Sequence, residues 1–197
     1  MRLGYNTNGF AHHSIEDAIE ILADIGYRSV AVTLERGFFD PPDRRGVEGA
    51  IRRLAPVLSR SRMDVTIETG ARFILDPRHK HQPTMLSRSM DDRRRRIEFL
   101  SGAVDVAAGL KAESVSLWSG AADDASGEEE QFARLIEGLG EVLDHARRSG
   151  VRIAFEPEPG MFIATMARFA ELVERVHHPL LGLTLDVGHV HCLSDGN

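Results

Sequence analysis

The chain has 197 residues, 24 Lys and Arg against 30 Asp and Glu, a formal net charge of −6 and 42% hydrophobic residues, which describes a globular chain able to bury a core without metals or disulfides. Its one cysteine, Cys192, rules out an internal disulfide framework and fits a reducing compartment, so a cytoplasmic location is expected. The acidic balance argues against broad nucleic-acid affinity, and with no apolar leader in residues 1–8 and no run of about 20 apolar residues, neither a signal peptide nor a membrane span is expected.

Short apolar runs alternate with longer runs of helical period, which predicts about six strand–helix units. The first strand is expected at 2–7. Ser14-Ile15-Glu16-Asp17 then supplies the cap and first-turn acids of a helix that ends at Gly26. A second strand is expected at 29–34 and, beyond a Pro41-Pro42 loop, a second helix at 47–59. The third strand covers 64–69, and a long polar loop follows to about Asp91. Next come a helix at 93–110, a strand at 114–118, and a helix at 128–148 stopped by Gly150. The fifth strand is 151–156, the fifth helix 165–176, closed by Pro179, and the sixth strand 181–186. No further helix is expected before Asn197.

Strict alternation of strands and helices implies a parallel sheet, either open or closed into a barrel. No strand leads into a Gly-x-Gly-x-x-Gly or Gly-x-x-x-x-Gly-Lys-Ser loop, so the usual cofactor signatures of open sheets are missing. Polar groups instead gather after nearly every strand: Asn6 and Asn8, Glu35, Glu68, Trp118 with Ser119, Glu156 with Glu158, and Asp186 with His189. A barrel builds its site this way, from the C-terminal ends of several strands at once. The expected fold is therefore α/β, a (β/α) TIM barrel of about six units, one domain over 1–197 that lacks its last two strands.

Two acids on consecutive strand ends, Glu156 and Asp186, stand roughly 5 Å apart, close enough to share one divalent cation. Mn²⁺ or Mg²⁺ is the first expectation, with Zn²⁺ as an alternative. Glu156 and Glu158 share parity and point the same way if the strand continues that far. An acid after a strand also serves as a helix cap or a solvated loop residue. Against that, Glu156 is followed by Pro157, Pro159 and Gly160, with the next helix only near Thr165, and Asp186 is followed by His189 and His191.

The loop from Glu68 through Arg72, Asp76, His79 and His81 is either a solvated segment or a clamp, with Arg72 and His81 available for hydroxyls, a carboxylate or a phosphate. Trp118 is either core or an apolar wall against a sugar face. His12 and His13 are assigned to capping or the rim, with substrate contact as the minor reading. His145, His177 and His178 are assigned to the surface, and Arg93-Arg94-Arg95-Arg96 to a solvated helix face.

Leu183-Thr184-Leu185-Asp186-Val187-Gly188-His189, preceded by Ile153-Ala154-Phe155-Glu156-Pro157-Glu158-Pro159-Gly160, resembles the xylose-isomerase-like TIM-barrel superfamily of sugar isomerases and epimerases, which is related to the apurinic endonuclease barrels. Gly4-Tyr5-Asn6-Thr7 and Leu22-Ala23-Asp24-Ile25-Gly26-Tyr27 are similar to that superfamily's first unit. The resemblance implies a divalent metal on Glu156 and Asp186, with His189 on the substrate or a second metal and Glu158 near substrate hydroxyls; His189 is counted with Glu156 and Asp186 among the expected metal-binding residues. A histidine after a seventh strand and a glutamate after an eighth would complete such a site, and neither falls in this sequence. Since a closed barrel typically takes about 250 residues, the natural protein is expected to be longer; pairing with another chain and a decayed copy are the alternatives.

The expected activity is isomerisation or epimerisation of a sugar or polyol-like hydroxy-ketone through an enediolate, with dehydration open on the same route. Glu156 and Glu158 are the expected catalytic groups, and Glu68, Arg72, His81, Trp118 and His189 the substrate contacts. A metal-dependent phosphodiester hydrolase of the apurinic endonuclease type is one alternative, and a non-catalytic barrel fragment is the other. No membrane or nucleic-acid partner is expected, and a homo-oligomer stays open.

Overall fold

Apolar residues at alternate positions of the four central strands put one face of each against helices. Val30 and Val32, Val65 and Ile67, Val115 and Leu117, and Ile153 and Phe155 are all buried. The computed structural model describes residues 2–35, 44–70 and 72–193, so the Pro41-Pro42 loop lies outside them. The strands are β1 (Gly4–Asn6), β2 (Ser29–Thr33), β3 (Asp64–Glu68), β4 (Ser114–Leu117), β5 (Arg152–Phe155) and β6 (Leu181–Leu183). The helices are α1 (Ile15–Ile25), α2 (Arg44–Ser61), α3 (Met90–Leu110), α4 (Glu128–Arg147), α5 (Met166–Val176) and α6 (Val187–Leu193), with a 3₁₀ turn at Thr7–Phe10.

All six strands run parallel in one sheet, in chain order from β1 to β6. Thr33, Glu68, Ser116, Ala154 and Gly182 pair in one row across it. The face opposite the apolar one carries small polar groups: Thr66 Oγ1 lies 3.4 Å from Ser114 Oγ and Ser116 Oγ lies 3.0 Å from Thr184 Oγ1. The helices bury Ile19, Leu54, Phe99, Leu100, Phe132, Leu139 and Leu172 against the sheet's apolar face, which makes the main core. The starts of α1, α3 and α5 are set by side-chain caps. Ser14 Oγ accepts from the Asp17 amide at 3.1 Å, and Ser89 and Thr165 do the same for α3 and α5. Gly26 closes α1 at φ 110°, a left-handed conformation that favours glycine.

Three expectations fail. A helix does follow the sixth strand: Asp186 Oδ1 accepts from the His189 amide at 3.0 Å and the Asp186 carbonyl from Val190 at 3.1 Å, which starts α6. Gly188 and the two histidines of that segment hide the helical period in the sequence. β6 ends at Leu183, although the Thr184 amide still donates to the Phe155 carbonyl at 2.9 Å. β5 ends at Phe155, and after Glu156 donates to Leu117 at 2.8 Å, Pro157 has no N–H with which to continue the ladder. The Glu158 amide bonds to Ile163 at 3.1 Å instead, so a local turn, rather than strand parity, places Glu158.

Candidate functional site

The C-terminal ends of β5 and β6 bring three ligand-type side chains together. Glu156 follows the last residue of β5 by one position, Asp186 caps α6, and His189 stands one turn into that helix. One donor atom from each lies within 4.8 Å of the others. His189 Nδ1 is 3.5 Å from Glu156 Oε1, and His189 Nε2 is 3.6 Å from Asp186 Oδ2. These distances are too long for good hydrogen bonds, and His189 Nδ1 is buried without a partner. The Asp186 carboxylate is split between two tasks, with Oδ1 on the helix amide and Oδ2 facing His189.

The electrostatics are those of a site short of positive charge. Burial pushes the Glu156 carboxyl up to about 7, helped by the negative charges of Glu68, Glu158 and Asp186 and opposed by His189. Burial also raises Glu158, against the pull of His189 and Lys80. Glu68 is raised by burial and lowered in turn by its hydrogen bond to Ser116. Four carboxylates in one half-buried mouth favour a cation by charge alone. Two carboxylates and an imidazole form a donor set suited to a divalent metal.

Trp118 is buried, one position past the end of β4. Leu117 pairs with Phe155, so Trp118 and Glu156 leave the sheet side by side. The His81 ring stands edge-on to Trp118, with centroids 5.0 Å apart. His81 has a positive φ of 66°, donates its amide to the Arg72 carbonyl at 2.6 Å, and leaves Nδ1 buried without a partner. Arg72 itself is exposed. With Asn8, Thr33, Glu35 and Phe73 it lines a separate hollow of about 570 Å³. The loop carrying His81 is anchored: Thr84 Oγ1 donates to the Ala121 carbonyl at 3.0 Å and accepts from the Leu86 amide at 3.1 Å. Asp76 organises its outer part, accepting from the amides of Arg78 at 2.7 Å and His79 at 3.1 Å.

Of the remaining histidines, His12 and His13 are exposed at the rim; Ser14 does the capping, and the His13 ring packs edge-on against Phe10. His145 meets Asp105 at 2.7 Å on the outer helices, and His177 and His178 lie beyond α5. One assignment is reversed outright. Arg94 and Arg95 are exposed, but Arg96 is 2% exposed and packs between aromatic rings. Its spacing was the missed signal: Arg96, Phe99, Leu100, Ala103 and Ala107 fall on one helical stripe, and all are buried.

A parallel sheet in chain order, with its helices following strand by strand and its ionisable groups at the C-terminal strand ends, is part of a (β/α) barrel. Residues 79–197 match the family described as xylose isomerase-like TIM barrel, and the chain belongs to that family. A D-tagatose 3-epimerase-like protein superimposes with a TM-score of 0.78 at 18% identity, over 96% of this chain and 66% of that one. An IolI protein solved with a bound zinc atom gives 0.75 at 19%, over 98% and 66%. An AP endonuclease, family 2, from Brucella melitensis gives 0.75 at 17%, over 100% and 72%. These similarities concern the fold, and the chain spans about two thirds of the length of such structures. No functionally curated protein matches it in sequence. Among the described residues, no helix is long and apolar enough to cross a membrane.

Proposed function

We propose that the chain carries the metal-binding side of a cytoplasmic, divalent-metal-dependent sugar epimerase or isomerase. The observation that carries this reading is the convergence of Glu156, Asp186 and His189, with a buried imidazole nitrogen left over and too much negative charge around it. Glu156, Asp186 and His189 would hold Mn²⁺ or Mg²⁺, with Zn²⁺ as the alternative. When bound, such an ion polarises a carbonyl and acidifies the neighbouring C–H. Glu158, raised by burial and close enough to respond to His189 and Lys80, is suited to take and return that proton. Glu68, bonded to Ser116, orients sugar hydroxyls from the β3 side. Trp118 supplies an apolar wall beneath His81. The epimerase-like and zinc-bound neighbours favour this reading.

The Brucella neighbour supports a second reading, hydrolysis of a phosphodiester. The crowded acids at the mouth oppose it, since they repel a polyanionic backbone. The discriminating experiment is incubation with a ketose panel in D₂O with Mn²⁺, read by proton NMR, beside a nicking assay on abasic DNA. Exchange at the carbon next to the carbonyl is expected, and chelator, Glu156→Gln or Glu158→Gln should each abolish it. Nicking without exchange on any ketose would replace this reading with the hydrolytic one.

A further inference from the structure

Arg96 is the one side chain of the arginine run that turns inward, and its surroundings are unusual for a cation. It is 2% exposed, and its guanidinium carbon lies 4.7 Å from the Trp118 ring centroid and 5.1 Å from that of Phe99. Rings are its only partners among the described residues, and Nη2 is buried with no hydrogen bond. A guanidinium carries a permanent charge, and leaving that charge and the Nη2 donors unanswered in the interior is strongly unfavourable. A methionine would fill the same space at lower cost.

A second, independent orphan also touches Trp118. His81 Nδ1 is buried and unpartnered, its backbone is pinned to Arg72, and its ring meets Trp118 edge-on. Lys80 is exposed beside it. The charges of Lys80, Arg96 and Arg72 all act on His81, which marks a local excess of positive charge. Because Trp118 leaves the sheet next to Glu156, this basic side adjoins the acidic side of the same mouth.

We propose that Lys80, His81 and Arg96 form an anion-receiving end of the site, so that the sugar held at the Glu156–Asp186–His189 end carries a carboxylate or a phosphate. The proposal rests on the sugar-enzyme reading above and names its substrate class. Lys80 and His81 meet the anion directly. Arg96 is a positioning residue one layer below: its charge, which no acid among the described residues neutralises, acts through His81 and Trp118 in a low-dielectric setting.

Trp118 is the only tryptophan of the chain and touches both His81 and Arg96, so its emission responds to changes at this end. Chelator-treated protein is titrated at low ionic strength with D-glucuronate, D-glucose 6-phosphate and D-glucose. The anionic sugars are expected to shift the emission at concentrations about tenfold below those needed with glucose, an advantage that added salt erodes. The stronger of the two anions identifies carboxylate or phosphate. Arg96→Met and His81→Gln should each bring the preference to about one, and Arg96→Lys should restore part of it. Should Arg96→Met fail to fold, His81→Gln and Lys80→Ala, both in the surface loop, carry the test. An equal response to all three sugars, or a preference that survives both Arg96→Met and His81→Gln, would overturn the proposal. Deuterium exchange with Mn²⁺ but no anion preference removes only the anionic end; anion preference without exchange removes only the metal-dependent reading.

Discussion

At the ends of β1 and β2, polar side chains bond to one another. Asn6 Oδ1 accepts from the Asn8 amide at 2.9 Å and from Thr33 Oγ1 at 2.7 Å, while Thr7 Oγ1 accepts from the Thr33 amide at 3.1 Å. At the equivalent ends of β5 and β6 the polar groups outnumber their hydrogen bonds: His189 Nδ1 makes none, and burial and like charge push Glu156 up to about 7. Both regions have polar residues straight after a strand, so residue type and position do not separate them. Satisfaction does. The first pair of strand ends pairs its polar groups within the fold, and the second gathers acids around Glu156 that His189 alone opposes there.

The contrast can be broken most forcefully with a metal. Mn²⁺ at about a thousandfold excess over its Kd should stabilise the chain by about 4 kcal/mol in thermal unfolding, and Glu156→Gln should abolish the whole gain. Asp186→Asn is the better partner variant, because asparagine keeps the α6 cap while removing the charge. A midpoint that ignores Mn²⁺ in the unaltered chain would put both regions in the same class. The next effect concerns pH in the chelator-treated protein. Glu156 is raised from its unfolded value of 4.5 to about 7. Between those values the native state therefore holds a proton that the unfolded state has lost, so stability should fall as pH rises through the window, by about 3 kcal/mol at most. Urea midpoints across that range should show the slope, and Glu156→Gln should flatten it. The smallest effect belongs to β1 and β2: Thr33→Val removes one half-buried hydrogen bond and should cost about 1 kcal/mol in urea, with the Mn²⁺ response unchanged.

The pieces of the site readable in the sequence are those where a strong local rule is broken. Glu156 ends an apolar run and meets two prolines and a glycine instead of a helix, so no cap role accounts for it. Asp186 was harder, because it is both a helix cap and a member of the cluster, and only the helical cap was hidden. Arg96 shows the opposite failure. Four consecutive arginines read as a solvated face, and charge type masked a helical spacing that Phe99, Leu100, Ala103 and Ala107 already marked as buried. The alternation of strands and helices needed only hydrophobic period and caps, which are local. The contact of His81 with Trp118 needed the path of a loop across the β4 exit, which rests on Thr84 and Ala121 and has no local signature.

β6 is paired on one side only among the described residues, and Leu183 at its end, with Leu185 and Val187 just beyond it, is exposed. A further strand added along that edge would arrive about 4.8 Å away, with its own C-terminal end level with Asp186 and His189. Under the metal-binding reading proposed above, backbone pairing at this edge and completion of a coordination shell would be a single event. Under that reading an edge that would otherwise recruit stray strands would acquire a chemical selector, since only a strand that also brings a ligand atom would gain both the ladder and the metal.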